Sequence, residues 1–338
     1  MAKRPNAVPL SELTNNQEAI VFAALSAKAA GQTKDGKPYY RATFRDARRE
    51  ATAMIWHDSP FYESCEKSWK IGDFYKIAVL YRESDYGPKL EIRRIRAAVE
   101  ADAGDGFSPN QCRPTTGIEP ALLMDEILAL AKTRIGKGPL LLLVQRIFKE
   151  KRQRLLDAAS SREHHHNVFG GMLEHTLSVT KIAAFFIDHF LATYAPVQKA
   201  PPDFSPALTI AGAVLHEVGK IAEMEAGPLI PKRSLAGELI GYTVLGRDII
   251  REYGPLVELP PATQLALEHI ILSHPRFPDW GAVGVPMSRE AMIVHLADYA
   301  DSIFATTRKT LEQDRSDEAF TFAKGPFGAM MLKNFGAP

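Results

Sequence analysis

Nine of the ten histidines fall between residues 164 and 295, in the part of the chain with helical spacing, and Asp298 follows His295 by one helical turn. Imidazole and carboxylate together are a ligand set for Mn2+, Fe2+, Zn2+ or Ni2+. No HExxH or similar local signature is present, so a metal site would need several helices, each projecting one such group inward. For any single histidine, a hydrogen-bonded place in the core is the competing reading. The stretch AGAVLHEVGK, Ala211–Lys220, poses the question most directly. It is either a ligand-bearing helix or an apolar helix with a polar edge formed by His216, Glu217 and Lys220.

The elements that would position these groups follow from periodicity. From about Glu18 to Ile95 apolar and polar residues alternate, as in KPYYRATFRDA, ATAMIWH, DFYKIAVLY and PKLEIRRI, with Gly, Pro and Asp-rich turns between. A period of two marks half-buried strands, and five of them in so short a span predict a small closed or nearly closed barrel. The stretch EADAGDGFSPNQCRPTTGIEP has no period and reads as a linker. Beyond it the spacing turns helical, in EPALLMDEILALAKT, PLLLLVQRIFKEKRQRLLDAA, GMLEHTLSVTKIAAFFIDHFLATY, PALTIAGAVLHEVGKIAEM and SREAMIVHLADYADSIFATTRKTLEQ. Ser288 is a candidate N-cap for the last of these. The expected organisation is a tail over 1–15, an all-β barrel over 16–99, a linker over 100–119, an all-α bundle over 120–325 and an irregular tail over 326–338.

Composition sets the class. A formal net charge of +1 and 24% charged residues are ordinary for a globular protein. Only Cys65 and Cys112 occur, without zinc spacing, which argues against a disulfide framework and for a reducing compartment. No apolar run approaches the roughly 20 residues that cross a bilayer, and the N-terminus lacks a signal-peptide core. A cytoplasmic chain with no membrane association is expected; a homo-oligomer is left open.

His175 in GGMLEHTLSV, His216 in AGAVLHEVGK and Asp298 in HLADYADS resemble the motif order of HD-domain metal-dependent phosphohydrolases. With HHHNVFGGMLEHTLSV, GELIGYTVLG, LEHIILSHP and the preceding barrel, nearly the whole chain resembles the YhaM family. That resemblance implies an N-terminal OB-fold domain, a C-terminal HD domain and 3′→5′ exoribonuclease activity. It implies His175, His216 and Asp298 as metal ligands, with His274 toward a second ion. Mn2+ is the expected cofactor, with Mg2+, Fe2+, Ni2+ and Zn2+ as alternatives. Lys220, one turn beyond His216 on the same helix, would contact a phosphate. His165 and His166 match a family pair and would lie at the site entrance, and Asp301 would support the ligands from behind. Two positions depart from the pattern. Glu217 stands where the family has aspartate, and it could still coordinate or act in catalysis through its longer arm. Tyr242 stands where the family has a second histidine, and a phenol with an ordinary pKa near 10 is a poor replacement for imidazole.

Between Lys28 and Arg49 seven basic residues face two acidic ones, the excess that phosphate binding needs. Tyr40 and Phe44 share a strand face with Ala42 and should fill the barrel, leaving Tyr39, Arg41 and Arg45 outward, with Arg93 extending the patch. OB-folds hold single strands by such stacking rings and cations. The expected partner is therefore single-stranded nucleic acid, RNA favoured. The competing function is an HD scaffold that binds nucleic acid or nucleotide without hydrolysis, which Glu217 and Tyr242 favour.

Overall fold

A computed structural model of the chain describes residues 7–84, 87–160, 168–194, 204–225, 227, 229, 232–314 and 316–333. The chain divides into two units. One holds residues 1–115 with 227–230, and the other holds 116–226 and 231–338.

The first unit is a closed five-stranded barrel. β1 (Glu18–Gln32), β2 (Pro38–Arg45), β3 (Glu50–Trp56), a short helix α1 (Tyr62–Lys67), β4 (Phe74–Arg82) and β5 (Lys89–Ala97) follow in sequence. Their order around the barrel is β1-β2-β3-β5-β4. The long β1 pairs β4 through its first half and β2 through its second, with a bulge between Leu25 and Ala27 that turns it from one neighbour to the other. The barrel closes where β3 meets β5 in parallel, Thr52 opposite Lys89. Five strands in this Greek-key order make an OB-fold. Alternate residues fill the interior: Val21, Ala23 and Leu25 from β1, Ala42 and Phe44 from β2, Ile77, Val79 and Tyr81 from β4. Phe44 meets Trp69 and Tyr75 edge-on at 5.8 and 5.9 Å.

The aperiodic stretch after β5 is more ordered than its composition suggests. It forms 3-10 turns at Glu100–Asp105 and Pro109–Cys112. Asp102 accepts two bonds from the Arg96 guanidinium (2.6 and 2.7 Å), one from Lys76 (3.2 Å) and one from the Val99 amide (3.0 Å). Turns this short carry no repeat, and their anchoring comes from side chains of the preceding strands β4 and β5. At the other end, Phe320–Lys324 and Met330–Leu332 pair as a hairpin that runs into the stretch expected to be an irregular tail.

The second unit is helical: α2 (Pro120–Ile135), α3 (Pro139–Glu150), α4 (Arg152–Asp157), α5 (Gly171–Tyr194), α6 (Pro206–Leu215), α7 (Lys220–Glu223), the two-residue strands β6 (Met224–Glu225) and β7 (Lys232–Arg233), α8 (Leu235–Leu239), α9 (Tyr242–Tyr253), α10 (Pro261–Ser273), α11 (Arg289–Gln313), and the hairpin β8 (Phe320–Lys324) and β9 (Met330–Leu332). Helix starts obey local chemistry. Ser205 and Ser288 accept bonds from the Leu208 and Ala291 amides, and Pro206 sits at N1 of α6. Glu290 in the first turn of α11 accepts the Ser205 amide (2.9 Å), tying the two starts together. α9 and α10 lie in stretches first read as motifs without an element. Among the described residues no helix is long and apolar enough to cross a membrane.

One expectation needs correction. Pro206–Met224 is not a single helix: α6 ends at Leu215, and His216–Gly219 form a tight turn before α7. The bonds there close over three residues, Val218 N to Leu215 O and Lys220 N to Glu217 O (3.0 and 2.9 Å). Lys220 is therefore not placed one α-helical turn below His216. The apolar period runs through the break unaltered because Val218 and Ile221 are both buried. Gly219 lies against α9, where an added Cβ would collide with the Tyr242 carbonyl and approach the Gly246 nitrogen to 2.5 Å.

This close approach sets the position of the turn that carries His216. Gly219→Ala should lose about 3 kcal/mol of stability in urea unfolding, at the upper end of overpacking penalties. Gly284→Ala, with open space around it, should stay within about 0.5 kcal/mol of the parent. Equal midpoints for the two variants would contradict this packing.

Candidate metal centre

Four segments converge in the helical unit. α5 brings His175, the turn after α6 brings His216 and Glu217, the C-terminal end of α10 brings His274, and α11 brings Asp298 and Asp301. His175 Nε2 lies 3.1 Å from His216 Nε2 and 3.2 Å from Asp298 Oδ1, and His216 Nε2 lies 4.0 Å from the same oxygen. Among the described residues, these three offer ligand atoms all within 4.8 Å of one another. Both histidines are buried, while the Asp298 side chain keeps 20% of its exposure.

The other ring nitrogens decide what the cluster can do. His175 Nδ1 donates to Asp301 Oδ2 at 2.7 Å, and His216 Nδ1 donates to the Ala213 carbonyl at 2.8 Å. A carbonyl can only accept, so the proton of neutral His216 is on Nδ1 and the Nε2 lone pair points inward; the Asp301 carboxylate does the same for His175. With no ion present a protonated His175 bridges to His216 Nε2 at 3.1 Å, and a divalent ion would take that proton's place between the two nitrogens. Ligand atoms about 2.1 Å from one ion and at right angles stand about 3 Å apart, so the spacing fits a divalent ion. Burial works against charge on His175, but Glu217 and the bonds to Asp298 and Asp301 outweigh it and push its pKa well above the usual histidine range. Burial pushes His216 down. Asp298 is disfavoured as an anion by burial, yet its bond to His175 and the nearby imidazoles hold it well below the ordinary carboxylate range.

His274 packs against the cluster, its ring edge-on to His216 at 4.9 Å. Burial and the neighbouring His216 push its pKa down to about 3. Its Nδ1 donates to the Ile271 carbonyl (2.8 Å), and Tyr242 Oη lies 3.2 Å from its Nε2. Glu217 reaches to 3.9 Å from His175 Nε2, and the same Oε2 accepts a 2.7 Å bond from Ser160. Burial raises its pKa, but His175, Lys220 and His216 reverse that and keep it ionised. Lys220 does not project toward open space. Its ammonium bonds Glu223 at 2.9 Å and sits 3.8 Å above the Tyr242 ring. His295 donates to the His274 carbonyl, and His269 accepts the Met287 amide, so both act as framework. His165 and His166 lie outside the described residues.

Ser160 gave no signal in sequence, being one serine at a helix end. Glu223 was visible as the i,i+3 partner of Lys220 on a short helix, a spacing that brings opposite charges together.

In the barrel, Tyr39, Arg41 and Arg45 lie on the outward row of β2, as alternation predicts, and Ala42 and Phe44 point inward. Tyr39 packs on Trp56 across the strand pair at 5.4 Å, and Trp56 is 45% exposed. Arg41 is exposed; Arg45 is half-buried and bridges Glu50 at 3.2 Å, so it is the least available of the three. Arg93 pairs with Glu91 at 3.4 Å and lines, with Met54, Trp56 and Lys89, a groove of about 550 Å³.

The family model described as HD domain matches residues 172–303 of the helical unit, a span that includes His175, His216, His274, Asp298 and Asp301. Over most of its length the chain is similar to proteins named 3'-5' exoribonuclease YhaM. It is 24% identical over 308 residues to "3'-5' exoribonuclease YhaM" of Listeria monocytogenes serotype 4b, covering 91% of each chain. It is 23% identical over 306 residues to the protein of that name from a Geobacillus species, covering 89% of this chain and 87% of the other.

Asp301 fixes both the tautomer and the orientation of His175. Asp301→Asn should weaken Mn2+ binding by about 10–100-fold while leaving the circular-dichroism spectrum unchanged. Equilibrium dialysis showing undiminished affinity would remove Asp301 from that role.

Proposed function

We propose that the chain is a metal-dependent 3′→5′ exonuclease acting on single-stranded RNA. The observation that carries this reading is the inward convergence of His175 Nε2, His216 Nε2 and Asp298 Oδ1, with the outer nitrogen of each imidazole bonded from behind. The names of the homologues supply the direction of attack and the substrate. The barrel grips the strand, and the HD domain hydrolyses the terminal phosphodiester.

His175, His216 and Asp298 would hold the ion, Mn2+ being the expected one. A divalent cation so held supplies Lewis acidity to water and to a phosphoryl oxygen. Asp301 and the Ala213 carbonyl keep the imidazoles aligned. Glu217, ionised and held by Ser160, accepts the proton of the attacking water. The water oxygen bonds to phosphorus, the bond to the 3′ oxygen of the preceding nucleotide breaks, and that oxygen takes up a proton, releasing a nucleoside 5′-monophosphate. Lys220 contributes positive charge to the wall of the pocket rather than a free ammonium, given its bond to Glu223. On the barrel, Tyr39 and Trp56 stack bases while Arg41 and Arg93 meet phosphates.

A second reading, an HD scaffold that binds nucleic acid without cutting it, draws support from Tyr242, whose hydroxyl occupies the free nitrogen of His274. The two readings separate on 5′-labelled single-stranded RNA with Mn2+. Release of monophosphates that vanishes in His216→Ala, with strand binding retained, is the expected result; tight binding with neither metal nor cleavage in the parent protein would favour the second. Trp56→Ala should weaken strand binding about tenfold at fixed salt, by loss of one stacked base, and a gel-shift series with no change would move the grip elsewhere.

A further inference from the structure

We propose that this centre takes a single divalent ion, because Tyr242 closes the position a second would use and Lys220 supplies the charge there instead. The inference rests on the reading that His175, His216 and Asp298 hold a metal.

His274 is the one further imidazole at the cavity, and its chemistry is already spent. Nδ1 donates to the Ile271 carbonyl at 2.8 Å, leaving Nε2 as an acceptor. The Tyr242 hydroxyl, 3.2 Å away, is therefore the donor, and it caps the only lone pair His274 could offer a cation. The capping ring has little room to withdraw. Tyr242 opens α9, its carbonyl lies against Gly219, and an added Cβ on Gly281 would come within 3.4 Å of its Cε1. Thr243 next to it donates to the Gly281 carbonyl at 2.8 Å. Recruiting His274 would require displacing this ring and leaving a buried phenol without its acceptor.

Charge points the same way. The Lys220 ammonium lies 3.8 Å from the centroid of the Tyr242 ring, buried and bonded to Glu223. Glu223 is itself buried and also faces Arg233 at 3.5 Å. A second divalent ion beside His274 would share this wall with a fixed monovalent cation and meet its repulsion. Glu217, the remaining carboxylate, has the oxygen nearest His175 engaged by Ser160. Among the described residues the compact donor set comprises three residues, enough for one ion that keeps open positions for water or substrate.

The test counts metal rather than turnover. The full chain is dialysed against millimolar Mn2+, and bound manganese per chain is measured by elemental analysis and by electron paramagnetic resonance. One ion per chain with the spectrum of isolated Mn2+ is expected, rising to two with a spin-coupled spectrum in Tyr242→His. Tyr242→Phe, which removes the cap and nothing else, should admit a second and weaker ion. Two ions in the parent protein would overturn the proposal while sustaining the metal reading. A folded Tyr242→His and Tyr242→Phe that both stay at one ion would overturn the role of Tyr242. No ion in any of the three would overturn this proposal and the metal reading together.

Discussion

Two buried imidazole nitrogens, from His175 and His216, face each other at 3.1 Å, a spacing that needs a proton or a metal cation between them. Everything around the site follows from that constraint. Each ring is held from behind by an acceptor, Asp301 for one and the Ala213 carbonyl for the other, and neither can turn its proton into the cavity without losing that bond. Such an arrangement is costly in a protein core unless positive charge fills the gap. The carboxylates of Asp298 and Glu217 stand where they would stabilise that charge, and the helices converge so that all four groups meet.

The means of convergence is backbone more than side chain. α5 and α11 are long and regular, and by amphipathic packing they deliver His175 from a buried position and Asp298 from a half-buried one. His216 instead sits on a turn that interrupts what would have been one helix, and the turn can press against α9 because Gly219 and Gly246 meet without side chains. The same contact holds the first residue of α9, Tyr242, at the edge of the cavity. One close backbone crossing thus sets both a ligand and the group that borders it.

These features differ in how far they could be read from residues alone. The switch from a period of two to a helical period marks the two units, because burial on one face imposes that pattern locally. His175, His216 and Asp298 were picked out by their order and neighbours, and the fold brings them together. The break at His216–Gly219 was hidden because Val218 and Ile221 continue the apolar period through it. The turns over Glu100–Cys112 were hidden because Asp102 is anchored by Arg96 and Lys76, contacts that no local pattern encodes. The outward row of β2 was legible, but the burial of Arg45 against Glu50 was not, since register between strands decides it.

The glutamate at position 217 makes sense within this geometry. On a continuous helix, the residue after His216 would point about 100° away from it. In the tight turn its carbonyl is spent on the Lys220 amide, and the longer side chain reaches back to Ser160 and to 3.9 Å from His175. An aspartate on the same backbone would fall short of Ser160 by one methylene and leave that hydroxyl unpartnered, at a cost typical of an unmade buried bond, about 1–3 kcal/mol. The glutamate and the serine therefore form a matched pair. Its carboxylate stays ionised among His175, Lys220 and His216, which places a fixed negative charge beside the cluster without requiring that it bind the ion directly. Lengthening the acid, capping His274 with a phenol and seating an ammonium on that phenol are three changes along one wall of the cavity. On the proposed reading they leave a hydrogen-bonded, charge-balanced surface where a second cation would need ligands, while His175, His216 and Asp298 would still hold the first.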